Sequence, residues 1–148
     1  MTSKIPVLFI CIHNSARSQM AEAFLKQLGG DRYEAFSAGL EPGKLNPLAI
    51  TVMSEAGIDI SKNEVKDVFE MHRSGKSFDY VITVCDAKNA ESCPVFPGKA
   101  VKQAWWFNDP SSFSGSEEDK LKATRLVRDE IKTAVKKFIQ ETSVHNSL

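Results

Sequence analysis

Short runs of β-branched and aromatic residues along the chain predict β-strands. The runs at residues 7–12 (VLFICI) and 78–85 (FDYVITVC) are continuous, which is typical of strands that are buried on both faces. Residues 33–38, followed by Gly39, predict a further strand, and residues 100–107 predict a weaker one. Each of these segments is separated from the next by polar or helical sequence.

Apolar residues at spacings of three and four predict three helices. They are expected at residues 18–29, 47–56 and 117 to about 140. Ser116 and Asp119 resemble a capping box at the start of the last helix. The polar tail at residues 141–148 is predicted to fray.

Strands that alternate with helices predict an α/β fold with a parallel sheet and helices on both faces. The 148 residues fit one domain, residues 1–148, and contain no repeat or linker. Sheets of this kind bind ligands beyond the carboxyl ends of their strands. Cys11, Cys85 and Asp109 all follow predicted strands, so we expect three reactive side chains on one rim of the sheet.

The composition is that of an ordinary globular protein. Nineteen basic and nineteen acidic residues cancel, which argues against a protein that coats nucleic acid but allows one small electropositive pocket. No apolar run approaches the ~20 residues of a membrane span, and no signal-peptide cleavage site follows the first strand. Three cysteines are too few for a disulfide-stabilised secreted fold. We therefore expect a cytoplasmic protein without membrane or nucleic-acid partners.

The segment CIHNSARS at residues 11–18 carries a cysteine and an arginine separated by five residues, between a strand and a helix. A loop of this kind can point successive N–H groups inward and bind a tetrahedral oxyanion at the helix N-terminus. Arg17 would hold two oxygens of the anion, and the same field would favour the thiolate of Cys11. Ser18 is placed to hydrogen-bond that thiolate, and Asn14 to brace the loop. The residues predicted to bind the anion are Ile12, His13, Asn14, Ser15, Ala16 and Arg17.

Two other interpretations of this segment stay open. Cys11 is also explained as a buried strand-end cysteine beside an unrelated surface arginine. His13 is expected to be a solvated loop histidine without a role in proton transfer.

Asp109 follows an aromatic run and precedes Pro110, which favours extended backbone at the aspartate. Beside an oxyanion loop this carboxyl is a candidate general acid or base for a leaving oxygen or an incoming water. An ordinary Asx-Pro turn is the alternative.

Cys85 and Cys93 flank a polar stretch of seven residues, DAKNAES. A zinc site is a poor explanation because four ligands are needed and the three histidines show no tight pairing with the thiols. Cys85 alone is consistent with an inert core residue. The more specific hypothesis is a redox relay, in which one thiol forms an adduct and two others carry the oxidation away without an organic cofactor.

Seven segments occur in an order that identifies a family. They are LFICIHNSARSQMAEAF, FSAGLEPGKLNPLAI, GIDIS, VITVCD, ESCP, WWFNDP and RLVRDEI. Over about residues 5–140 the chain resembles thioredoxin-coupled arsenate reductases of the low-molecular-weight protein tyrosine phosphatase superfamily. The resemblance implies a three-layer α/β sandwich with a central four-stranded parallel sheet.

The resemblance also implies roles for six residues. Cys11 would attack arsenate, Arg17 would clamp the oxyanion, Ser18 would steady the thiolate and Asp109 would protonate the leaving hydroxide. Cys85 would then attack the Cys11–arsenic adduct, release arsenite and form a Cys11–Cys85 disulfide. Cys93 would attack Cys85, and thioredoxin would reduce the Cys85–Cys93 disulfide.

The resemblance leaves open whether a potassium ion binds, and it implies no tightly bound cofactor. Some relatives bind potassium beside the loop, at positions that match Asn14, Glu22, Ser37 and an aspartate near Asp67. Lys66 is the alternative, because its ammonium group would substitute for the ion. We expect a monomer.

Two other functions are consistent with these residues. The first is a low-molecular-weight tyrosine phosphatase that uses Cys11, Arg17 and Asp109 and completes turnover with water. The second is a non-enzymatic anion-binding module in which the cysteines only pack.

Overall fold

The computed structural model describes residues 4–14, 16–84 and 99–146. In these residues the chain forms four strands and four α-helices, with short 3-10 turns at Gly30–Arg32 and Pro110–Ser112. In chain order the elements are β1 (Ile5–Cys11), α1 (Arg17–Gly29), β2 (Tyr33–Gly39), α2 (Pro47–Glu55), α3 (Val68–Arg73), β3 (Tyr80–Val84), β4 (Val101–Trp105) and α4 (Glu117–Asn146).

The four strands form one sheet in the order β2-β1-β3-β4, and every neighbouring pair is parallel. Strand β1 lies in the interior of the sheet, where Cys11 pairs with Gly39 of β2 and Val7 pairs with Tyr80 of β3. This arrangement confirms the predicted four-stranded parallel sheet.

Alternate residues of β1 pack into two hydrophobic cores, one on each face of the sheet. Val7 and Phe9 pack with α1, α2 and α4 on one face of the sheet. Leu8 and Ile10 pack with Val68 of α3 on the other. All five side chains are fully buried, and each large one contributes about 1.5–3 kcal/mol to folding. The three-layer α/β fold is therefore confirmed, and it fixes the carboxyl end of β1 between helices.

Helix α4 extends beyond its predicted end. The sequence pattern predicts that the helix ends near residue 140, whereas the helix continues to Asn146. Thr142 explains the extension, because it is buried and its hydroxyl contacts both the hydroxyl of Tyr33 and the Phe138 carbonyl. A polar residue that is buried through hydrogen bonds leaves no apolar signal in the sequence.

The predicted start of α4 is confirmed. Asp119 N–H donates to Ser116 Oγ over 3.1 Å, and Ser116 N–H donates to Asp119 Oδ2 over 3.2 Å. These reciprocal bonds are those of a capping box.

The sequence pattern did not predict α3. This helix has six residues and is capped by Asp67, whose Oδ1 accepts a 2.8 Å hydrogen bond from Phe69 N–H.

Across the described part of the chain, no helix combines the length and the apolar character of a bilayer span.

Candidate active site

The loop between β1 and α1 is held from outside by the segment that follows β2. Three N–H groups of that segment donate to three successive carbonyls of the loop. The bonds are Leu40 N to Cys11 O (3.1 Å), Glu41 N to Ile12 O (2.7 Å) and Gly43 N to His13 O (3.1 Å). In a trans peptide the carbonyl and the following N–H point in opposite directions. The N–H groups of residues 12, 13 and 14 therefore face the inside of the loop.

Gly39 permits this close approach of two backbone segments. A Cβ atom at this position would lie 2.7 Å from Asn14 N and 2.8 Å from the carbonyl carbon of His13. Backbone atoms cannot move aside as the end of a flexible side chain can, so the loop requires glycine here.

The His13 imidazole faces the outer segment. Its Nδ1 lies 2.7 Å from the Glu41 carbonyl oxygen, which accepts a hydrogen bond from it. The side chain is partly exposed, and its hydrogen bond strengthens the clamp on the loop.

The Cys11 sulfur lies inside the loop and is surrounded by donors. Its side chain is 2% exposed, and its Sγ accepts a 3.1 Å hydrogen bond from Asn14 N–H. Ser18 Oγ lies 2.8 Å from the sulfur and also accepts a 2.9 Å bond from Asn14 Nδ2. Because Asn14 Nδ2 can only donate, the single hydroxyl proton of Ser18 remains available for Cys11. Both contacts stabilise a thiolate at Cys11.

Asn14 reverses the chain at the base of the loop. Its φ of 54° lies in the left-handed region, which asparagine adopts more readily than most residues. The Asn14 side chain is fully buried, and its Oδ1 accepts from Lys66 N–H (2.9 Å) and Gln19 Nε2 (3.0 Å). Gln19 was not among the predicted site residues, although a glutamine beside the motif on a buried helix was the available signal.

Arg17 connects the loop to the segment after β4. It is the first residue of α1 and is 3% exposed. Its Nη1 donates to the Phe107 carbonyl over 3.1 Å, and its Nη2 lies 3.4 Å from Asp109 Oδ2. Among the residues that the structure describes, its buried Nε has no hydrogen-bond partner and no side chain caps the helix. A buried guanidinium N–H without a partner is costly, and an oxyanion in the loop would satisfy it.

Asp109 lies in an Asx turn and also faces the loop, so the two interpretations of this residue from the sequence both apply. Its backbone is extended (φ −83°, ψ 116°), and its Oδ1 accepts from Ser111 N–H over 3.0 Å in an Asx turn. The other oxygen, Oδ2, faces Arg17, and the side chain is 26% exposed. The turn therefore aims a partly exposed carboxyl at the arginine of the loop.

Glu22, a position that matches a potassium ligand of some relatives, has a hydroxyl and two lysines as neighbours. This buried carboxylate accepts from Ser37 Oγ, lies 2.7 Å from Lys26 Nζ and lies 3.9 Å from Lys66 Nζ. The Oδ1 of Asn14, another predicted ion ligand, is already taken by two N–H donors. Lys26 and Lys66 thus place positive charge beside this carboxylate, and a potassium ion at this position stays an untested prediction.

The predicted residues thus fall into two groups. The structure brings Cys11, Asn14, Arg17, Ser18 and Asp109 together around one loop. Ser15, Cys85 and Cys93 lie outside the described residues, so the thiol relay stays a prediction.

Comparison with known proteins identifies relatives over nearly the whole chain. Residues 6–147 match the low molecular weight phosphotyrosine protein phosphatase family. The arsenate reductase of Bacillus subtilis (strain 168) is 42% identical over 141 residues, which cover 95% of this chain and 98% of that protein.

Solved structures agree with these matches. An arsenate reductase in the oxidized state superposes with a TM-score of 0.75 at 31% identity, covering 92% of this chain and 97% of that one. A thioredoxin-dependent arsenate reductase of Corynebacterium glutamicum superposes with a TM-score of 0.71 at 28% identity, covering 98% of this chain and 65% of that one. The chain therefore belongs to the low molecular weight phosphotyrosine protein phosphatase family, as the resemblance of its sequence indicates.

Proposed function

We propose that this protein is an arsenate reductase that uses Cys11 as its nucleophile and is regenerated through Cys85, Cys93 and thioredoxin. The observation that carries the proposal is the Cys11 sulfur, which accepts hydrogen bonds inside a loop whose N–H groups and Arg17 suit a tetrahedral oxyanion. Full-length relatives that are named arsenate reductases support arsenate as that oxyanion.

In the first step the Cys11 thiolate attacks the arsenic atom of arsenate. Arg17 and the inward N–H groups bind the remaining oxygens and stabilise their negative charge. A sulfur–arsenic bond forms, an arsenic–oxygen bond breaks, and protonated Asp109 converts the leaving hydroxide into water. Arsenic is still pentavalent in this adduct.

The next two steps move the oxidation to a different pair of thiols. The Cys85 thiolate attacks the Cys11 sulfur, and the electrons of the sulfur–arsenic bond remain on arsenic, which leaves as arsenite. Two thiols are oxidised to a Cys11–Cys85 disulfide while arsenic gains two electrons. Cys93 then attacks Cys85 and releases the Cys11 thiolate.

Thioredoxin completes the cycle by reducing the Cys85–Cys93 disulfide. The name of the relative from Corynebacterium glutamicum supports thioredoxin as the reductant. The proposal assigns the protein to the cytoplasm, where thioredoxin keeps thiols reduced. No bound organic cofactor takes part.

One experiment tests the order of the relay directly. The Cys93→Ser variant is given one equivalent of arsenate, its disulfides are trapped by alkylation at low pH, and the peptides are analysed by mass spectrometry. We expect a Cys11–Cys85 bridge and about one arsenite per chain. The Cys85→Ser variant is the matched control and should form neither. A Cys93→Ser variant that releases arsenite without this bridge would contradict the relay.

A second experiment separates the reductase from a phosphatase. Arsenite formation with thioredoxin, thioredoxin reductase and NADPH is compared with the hydrolysis of an aryl phosphate, for the wild type and Cys93→Ser. We expect multiple turnovers of arsenate to require Cys93, whereas slow ester hydrolysis does not, because hydrolysis uses only Cys11, Arg17 and Asp109. Fast hydrolysis without arsenate turnover in the wild type would favour the phosphatase.

A further inference from the structure

Gln19 is a fully buried amide on α1, one residue beyond Ser18. Its Nε2 lies 3.1 Å from the Asn14 carbonyl oxygen, 3.0 Å from Asn14 Oδ1 and 3.0 Å from the Glu64 carbonyl oxygen. Its Oε1 accepts a 3.1 Å hydrogen bond from Asn63 Nδ2. One side chain therefore joins the loop around Cys11 to the segment that precedes α3.

The orientation of this amide follows from its partners. Backbone carbonyl oxygens can only accept, so the Gln19 atom that faces those of Asn14 and Glu64 must be the nitrogen. The same nitrogen also faces the side-chain oxygen of Asn14 as a donor, so its two hydrogens are shared among three acceptors.

That donor helps to fix the amide of Asn14. The Lys66 N–H can only donate, so the Asn14 atom that accepts from it is Oδ1, and Gln19 supplies the second donor to this oxygen. With Oδ1 held in this way, Nδ2 points at Ser18 Oγ, 2.9 Å away. If the amide of Asn14 turned over, its oxygen would face Ser18 and would accept the hydroxyl proton that is now available for Cys11.

We propose that Gln19 is a positioning residue, whose donor orients Asn14 so that Ser18 gives its proton to the Cys11 sulfur. Gln19 acts through two other side chains and does not touch the sulfur. This inference deepens the proposed function, since it concerns the same nucleophile. It holds for any reaction that starts from a Cys11 thiolate.

The test measures ionisation of Cys11 without arsenate. Full-length protein with Cys85→Ser and Cys93→Ser leaves Cys11 as the only thiol, and its thiolate is followed by ultraviolet absorbance and by alkylation rate across a pH series. Gln19→Met keeps the length of the side chain and removes the donor. We expect the midpoint of thiolate formation to rise and the alkylation rate near neutral pH to fall about threefold to tenfold, as for one weakened hydrogen bond to an ionised group.

Two controls distinguish positioning from a merely structural role. Asn63→Leu removes the partner of Gln19 Oε1 and leaves the donor in place, so stability should fall while the midpoint of Cys11 stays unchanged. In a Ser18→Ala background, Gln19→Met should no longer shift the midpoint, because its effect passes through the Ser18 hydroxyl.

The result for the Cys11 midpoint can be distinguished from the result of the arsenate assays. An unchanged midpoint in Gln19→Met, with circular dichroism showing a folded protein, would overturn the inference even if arsenate is reduced normally. An equal shift with and without Ser18 would also overturn it. If Gln19→Met does not fold, Gln19→Leu, which also lacks the donor and adds no charge, is measured, and the same two criteria apply. A shifted midpoint in a protein that fails to reduce arsenate would support the inference and contradict only the proposed function.

Discussion

The Gly39→Ala substitution tests whether the shape of the anion loop depends on the approach of β2. Gly39 has no left-handed backbone angle, so alanine would be allowed there if space permitted. Space does not permit it, because the new Cβ would lie 2.7 Å from Asn14 N, 2.8 Å from His13 C and 2.9 Å from Ile12 O. We therefore expect the loop to be displaced from the sheet.

The size of the effect follows from the overlap. Ordinary contact begins at 3.4 Å, so the backbone at Asn14 is about 0.7 Å too close to the new methyl group. Overpacking of this kind typically costs about 1–3 kcal/mol of folding free energy. A displacement approaching 1 Å in a catalytic loop lowers the rate by about 10- to 100-fold.

The assay compares Gly39→Ala with Gly43→Ala, which makes the same chemical change in the segment that clamps the loop. At Gly43 the nearest atom to a new Cβ is the side-chain Cβ of His13, at 3.4 Å. Urea unfolding, phosphate binding by calorimetry and arsenate turnover are measured for both variants. We expect Gly39→Ala to lower the stability, the phosphate affinity and the turnover rate. In Gly43→Ala the free energy of unfolding should change by no more than about 0.5 kcal/mol. Wild-type phosphate affinity and turnover in Gly39→Ala would show that the loop does not depend on a glycine at this position.

Three further substitutions test separate contacts. Ser18→Ala should slow alkylation of Cys11 near neutral pH by about tenfold or more, since a hydrogen bond to the thiolate is lost; an unchanged rate would exclude that bond. Asp109→Asn should lower the rate of arsenite release by about 10²- to 10⁴-fold while phosphate still binds, and undiminished release in single-turnover assays would remove Asp109 as the acid. The hydrogen bond from Arg125 holds the pKa of Glu55 below its usual 4.5, so this pair stabilises the fold above that pH and stops doing so as the pH falls through the lowered pKa. Glu55→Gln should therefore lower the melting temperature near neutral pH and not in strong acid, and a difference that persists in acid would contradict the assignment.

Local sequence was sufficient to predict the strands, most of the helices and the loop from Cys11 to Ser18. Buried strands and amphipathic helices leave periodic apolar patterns, and the contact between Cys11 and Ser18 spans only seven positions of the chain. The capping box at Ser116 is local in the same way. Helix α3 has only six residues, too few to show a period.

Tertiary structure decided how that loop is held. The carbonyl of Phe107 reaches Arg17 across 90 positions of sequence, and Lys66 N–H reaches Asn14 across 52. Gly39 matters only because parallel pairing brings the end of β2 beside the end of β1. Such contacts depend on how separate elements pack against one another, and periodicity within one element carries no information about them. The sequence alone determined which residues bear the chemistry, and packing of the sheet and helices determined how they are oriented.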